Sequence, residues 1–202
     1  MMYRQSNDSL LAMLSQYANT NTIPLHMPGH KRKENRAGYL KTLAAHLDIT
    51  EIPGFDDLHD AEGLLRDSMA LAAQLWGSKR CFYSVNGSTG GILAAIRAAA
   101  GESAEVLVAR NCHKSVYHAI ELCRLTPRYL LPPQDAQFGI CGSLPVQQVR
   151  QATAKFPNAK VLILTSPTYE GAISDIAAIC ETAHQHGVAV IVDEAHGAHL
   201  GV

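Results

Sequence analysis

The sequence predicts an α/β fold, a three-layer α/β/α arrangement around a mostly parallel sheet, and three observations carry that prediction. From residue 81 onward, short apolar runs alternate with longer amphipathic stretches, the order that builds a parallel sheet through right-handed helical crossovers. The runs EVLVA (105–109), KVLILT (160–165) and VAVIVD (188–193) are continuously apolar, as strands covered on both faces should be. The chain has 202 residues, 47% hydrophobic and 17% charged, enough for one or two domains with a real core.

Taken in order, residues 6–18 predict an amphipathic helix. Asp8 or Ser9 can cap it, and Leu10, Leu11, Leu14, Tyr17 and Ala18 share one stripe. IPLHMPGHKRKENRAG (23–38) predicts a loop, because Pro24 and Pro28 break helices and remove sheet donors. DITEIPGFDDLHDAEG (48–63), with six acidic residues, predicts a second loop leading into a helix over 62–76. A strand is expected over CFYSV (81–85), then a helix over 88–100 closed by Gly101 and a strand over 105–109. A helix near 114–124, a short strand PRYLL (127–131) and a helix over 145–155 follow. The last elements are the strand 160–165, a helix over 174–186 capped by Ser174 and stopped by Gly187, and the strand 188–193. Residues 1–60 thus form a helix with two long loops, and 61–202 an α/β domain.

A net charge of −1 gives no electrostatic footprint for nucleic acid or an anionic membrane surface. Five scattered cysteines without a CxxC pair fit reduced thiols and a cytoplasmic setting. No apolar run suits a signal peptide or a membrane span. His184 and His186 are two apart on a predicted helix and have no acidic or thiol cluster nearby, so no metal site is read there.

In a parallel sheet, ligands bind at the carboxyl ends of the strands. That edge collects Asn86-Gly87-Ser88-Thr89-Gly90-Gly91, Arg110-Asn111-Cys112-His113, Ser166-Pro167-Thr168-Tyr169 and Asp193-Glu194-Ala195-His196. SVNGSTGG opens a helix after an expected strand, so its glycines and free N–H groups suit a phosphate, with Ser88 and Thr89 adding hydroxyls. The bland alternative is a glycine-rich turn with Ser88 as an ordinary cap. Asp193-Glu194-Ala195-His196 would suit a nucleic-acid-stimulated ATPase, but no GKS or GKT occurs to complete a P-loop. A carboxylate at the end of a buried strand needs a cation, and Asp193 could meet a protonated pyridine nitrogen, a cap or an ion pair. His113, Thr168 and His196 stand at strand ends, where a histidine can stack on a flat ring or carry protons.

Together these stretches resemble the ornithine/lysine/arginine decarboxylases, pyridoxal-phosphate (PLP) enzymes of the aspartate-aminotransferase-like fold. The matching segments are PLHMPGHK (24–31), DITEIPGFDDLHDAEG (48–63), FYSVNGSTGGILAAI (82–96), ARNCHKSVYHA (109–119), SPTYEG (166–171) and VIVDEAHGAH (190–199), in family order. The resemblance implies that Ser88 and Thr89 bind the cofactor phosphate, that His113 stacks on the pyridine ring and that Asp193 pairs with the ring nitrogen. It places His196 beside the ring near O3′, and Thr168 toward the same side. It implies decarboxylation of a basic amino acid to its amine, with His113 and His196 as the catalytic pair. It also implies PGHK and EIPGFDDLH loops at the active-site mouth and dimer contact, and a homodimer or higher homo-oligomer.

The family's cofactor-bearing lysine follows the strand that ends in Asp193, so the resemblance implies that it lies beyond Val202, together with the small C-terminal domain. Of the seven lysines, Lys114 follows His113 in a tempting HK pair, but that segment matches the ring-stacking stretch. The chain is therefore expected to be a portion lacking the Schiff-base lysine, with sheet edges that want partners. Two other readings stay open: an aminotransferase or lyase on the same scaffold, and a catalytically inactive PLP-binding remnant.

Overall fold

The computed structural model describes residues 9–32 and 42–200. Residues 6–8 of the first expected helix, Asp8 among them, and residues 33–38 of the first expected loop lie outside that range. The chain divides into two compact units, one ending at Tyr83 and the other beginning at Ser84.

In the first unit, α1 spans Leu10–Ala18, and Ser9 Oγ accepts the Ala12 N–H at 3.2 Å as its cap. Tyr17 anchors the loops around it. Its ring meets Phe55 edge-on at 5.4 Å, its hydroxyl bonds the His26 ring at 2.9 Å, and the Arg32 guanidinium lies over it at 4.3 Å. Thr50 N–H donates to Met27 O, so the two expected loops are tied to each other. A short 3-10 turn, Ala45–Leu47, leads into the second loop.

Helix α2, Leu64–Leu75, starts where Asp56 organises the acidic loop. The Asp56 carboxylate accepts N–H groups from Asp57, Glu62, Gly63 and Leu65 at 2.9–3.0 Å. Those backbone donors, Glu62 first, hold its pKa far below the usual carboxylate range.

The second unit carries the sheet. Helix α3 is Gly87–Ala100, β1 Glu105–Ala109, α4 Lys114–Leu122, β2 Thr126–Leu130, α5 Val146–Lys155, β3 Val161–Thr165, α6 Ile176–His184 and β4 Ala189–Asp193. The strands are all parallel, in the order β2-β1-β3-β4. β1 and β3 are central and almost wholly buried, as their apolar runs predict. Val106, Leu107, Val108, Leu162, Ile163 and Leu164 pack with Ile96 of α3, Val116 of α4, Val149 of α5 and Ile179 of α6. β2 and β4 lie at the edges and are only partly covered; Pro127, which has no N–H to give a ladder, sits in β2.

Two local expectations are corrected. No strand forms over 81–85, because a run becomes a strand only with a ladder partner; Phe82 and Val85 are instead 76% exposed. The sheet of the described residues therefore has four strands, where five were expected. Helix α6 is capped by Asp175, whose carboxylate accepts the Ala178 N–H at 3.1 Å, and not by Ser174. The Ser174 hydroxyl is drawn instead to the Leu144 N–H at 3.0 Å, while Ser174 N–H donates to Ser166 Oγ at 3.0 Å. Gly101 and Gly187 both take positive φ, +74° and +71°, after α3 and α6 as predicted.

Candidate functional site

Because every strand is parallel, the turns after β1, β3 and β4 emerge at one edge. Helix α3 joins them from the other direction. It ends at Gly101, four residues before β1 begins, so its C-terminus lies at the amino edge of the sheet. Its 14 residues span about 21 Å, enough to return its N-terminus to the carboxyl edge.

That N-terminus is open. Gly87 has φ +61°, which a side chain would strain, and a Cβ on Gly90 would stand 2.7 Å from the Asn86 Cβ. Asn86 is the cap residue but gives the first turn no side-chain bond, so the leading N–H groups stay free for an anion. Ser88 and Thr89 lie exposed in this first turn; Ser88 is not the cap.

The turn after β1 is fixed by its own side chains. His113 caps α4: its Nδ1 accepts the Ser115 N–H at 3.3 Å and bonds Ser115 Oγ at 3.0 Å. This sets the orientation of the exposed ring. Cys112, buried just before it, donates its thiol to Ile163 O at 3.7 Å and so ties this turn to β3. Arg110 lies over the rings of Tyr117 and Tyr129 and shares two hydrogen bonds with Tyr117, 2.7 and 2.6 Å long.

The turns after β3 and β4 interlock. Ser166 N–H donates to Asp193 O at 3.1 Å, extending the ladder. A Cβ on Gly197 would stand 2.4 Å from Pro167 Cδ, so the backbone after His196 presses directly on that proline. His196 is exposed and meets the Tyr169 ring edge-on at 5.4 Å. Thr168 is buried; its Oγ1 accepts the Ala172 N–H at 3.1 Å and closes the Thr168–Ala172 turn, leaving its O–H free to donate elsewhere. Asp193 is 6% exposed, and its side chain accepts a single bond, from Ala195 N–H to Oδ1 at 3.1 Å. No cation pairs with it among the described residues. A buried carboxylate so poorly served is a place for a cationic ligand group.

The fold thus brings Asp193, His196, Thr168 and His113 to one edge, with α3 returning Ser88 and Thr89 toward it. It makes no direct bond among these six side chains. The sequence suggested no separate role for Cys112, Thr165 or Gly197. Only the strand ends gave a signal for Thr165, since 160–165 and 188–193 finish together. The exposed Lys114 is the first residue of α4.

The architecture is the large domain of fold-type-I pyridoxal-phosphate enzymes, in part. The chain belongs to the Orn/Lys/Arg decarboxylase family, whose major domain matches residues 9–202. It is 40% identical to the uncharacterized protein YaaO of Bacillus subtilis, over 96% of this chain and 41% of that protein. It is 33% identical to an arginine decarboxylase of Bacillus anthracis, over 98% of this chain and 42% of that enzyme. The chain therefore spans about two fifths of the length of these relatives. Among solved structures, the Francisella novicida lysine decarboxylase LdcF superposes with a TM-score of 0.75 at 21% identity, covering 92% of this chain and 28% of that one. No helix of the described residues is long and apolar enough to cross a membrane.

Proposed function

We propose that this chain supplies the cofactor-binding half of a PLP-dependent decarboxylase that converts a basic amino acid to its amine. The observation that carries the reading is Asp193. It is buried at the carboxyl edge, has one backbone donor and, among the described residues, no cation, and shares that edge with the open N-terminus of α3. The residues fit PLP on chemical grounds. An anion suits the free N–H groups and hydroxyls of Gly87, Ser88 and Thr89, and a protonated ring nitrogen suits Asp193.

When bound, PLP supplies an electron sink for the pair left by the departing carboxylate. The chain's residues supply position and charge. Ser88 and Thr89 hold the phosphate. Asp193 keeps the ring nitrogen protonated, which deepens the sink. His113, its ring fixed by Ser115, offers a flat face for stacking. His196, steadied by Tyr169, stands on the neighbouring turn with an exposed imidazole able to hold or pass a proton. Thr168 keeps an O–H to offer an oxygen on that side.

The cofactor-bearing lysine is proposed to be outside residues 1–202, since Lys114 opens α4 on the ring-stacking turn. Homodimerisation or higher self-association is proposed as well; Leu25 and Met27 of the PLHMPGHK loop and Ile23 just before it are 85%, 66% and 77% exposed, a costly display for an isolated subunit. A reducing cytoplasmic setting is proposed from the five free thiols.

Arginine is the first substrate to assay, because relatives matching 97–98% of this chain are named arginine decarboxylases. Release of labelled carbon dioxide from arginine, lysine and ornithine by the full-length protein with PLP tests the reading. Release from one of the three supports it. Transamination without release would move the assignment to an aminotransferase.

A further inference from the structure

β3 and β4 finish in step: Thr165 is paired with Asp193. Paired residues on adjacent parallel strands send their side chains to the same face, from backbones about 4.8 Å apart. The Thr165 hydroxyl oxygen is buried and makes no hydrogen bond of good geometry among the described residues, although the Cys112 thiol lies near enough to interact with it weakly. Asp193 is buried beside it, with Oδ1 bonded to Ala195 N–H and Oδ2 accepting no bond. A buried donor without a good acceptor, unfavourable as it stands, is thus next to a carboxylate oxygen that accepts no protein bond and still meets solvent. No other buried polar side-chain atom on these turns lacks a partner among the described residues.

The Cys112 thiol comes in from the β1 turn and feels both groups. Burial pushes it up to about 11; the Thr165 hydroxyl and amide offset part of that rise, and the Asp193 charge adds to it. Cys112 is therefore a neutral, apolar wall of this corner, already donating to Ile163 O. It brings Asp193 no charge.

We infer that Thr165 is a positioning residue for Asp193, donating its hydroxyl to Oδ2 and holding the carboxylate in line with the cofactor's ring nitrogen. The inference rests on the reading that Asp193 meets that nitrogen. Once a ligand displaces water from the outer side of the carboxylate, Oδ2 needs a protein donor, and Thr165 is in place. Rotation about χ1 re-aims its hydroxyl among staggered wells without moving the strand. The partner groups on neighbouring strands are fixed by the ladder, so the arrangement is built into the register.

The test is the pair Thr165→Val and Thr165→Ser in the full-length protein, with two readouts: melting without cofactor and PLP affinity by absorbance titration. Valine keeps the branched shape and deletes a hydroxyl that meets only the weakly bonding Cys112 thiol in the cofactor-free fold. The cofactor-free T165V protein should therefore melt at or above the wild type, yet bind PLP about 5- to 10-fold more weakly. T165S should restore affinity to within about twofold. A purely structural residue would move both readouts the same way, so a fall in melting together with affinity overturns the inference. Unchanged affinity in T165V beside firm binding by the wild type also overturns it, while leaving the PLP reading intact. If the wild type binds no PLP, the functional reading fails and the inference with it.

Discussion

Gly197→Ala probes the seating of the turn after β4. An added Cβ would lie 2.4 Å from Pro167 Cδ and 3.2 Å from Cγ. Carbon atoms pack comfortably at about 3.5–4.0 Å, so about 1 Å of separation is missing. Neither side yields easily. Pro167 is a ring in the main chain, and its neighbour Ser166 is bonded to Asp193 O. Gly197 N–H is held by Glu194 O at 2.8 Å, and Gly197 O accepts the Leu200 N–H at 2.9 Å. Overpacking of this kind costs about 1–3 kcal/mol. If the turn lifts to relieve it, His196 leaves its contact with Tyr169, and the Asp193 corner opens. PLP affinity should then fall by about 5- to 150-fold, and the melting temperature by at least about 2 °C. Equilibrium titration and a thermal melt of the G197A protein read both. Wild-type affinity with an unchanged melt would show that the turn does not bear on Pro167 and would refute the reasoning.

Gly90→Ala should cost about 1–3 kcal/mol through its 2.7 Å approach to Asn86, and should weaken PLP binding, as a melt and a titration would show. Asp56 has a depressed pKa in the fold, so its stabilisation is present above the ordinary carboxylate range and is lost as pH falls below it. Melting of Asp56→Asn should thus lie below the wild type at pH 7, with the gap narrowing toward pH 2. Cys112, raised to about 11 by burial, should resist iodoacetamide at pH 8 and react only as pH approaches that value. Its share of stability is present below about 9 and lost as pH rises through about 11; peptide mapping of the alkylated protein checks the first point and alkaline melting the second.

What was legible in the sequence follows from where each property resides. EVLVA and KVLILT declare themselves because central parallel strands are apolar on both faces. Asp193 was legible as a carboxylate ending an apolar run, and Ser88 and Thr89 as hydroxyls opening a glycine-rich helix. CFYSV reads as a strand by composition, but strand formation needs a neighbour's backbone, which no local pattern records. Ser174 reads as a cap, yet its hydroxyl goes to Leu144, 30 residues away, and Asp175 caps instead. Thr165 showed in the sequence only as a strand end for a related reason: its meaning lies in the register with Asp193, a cross-strand fact. The 48–63 segment was legible as an acidic loop, but the convergence of four backbone donors on the Asp56 carboxylate was not.

The most direct test of the central claim is borohydride reduction of the full-length protein with bound PLP, followed by mass mapping of the labelled peptide. Stoichiometric label is expected on a lysine outside residues 1–202, together with loss of firm PLP binding in Asp193→Ala. Stoichiometric label on Lys114 would contradict the proposed arrangement, because the turn after β1 would then carry the cofactor and not merely stack on it.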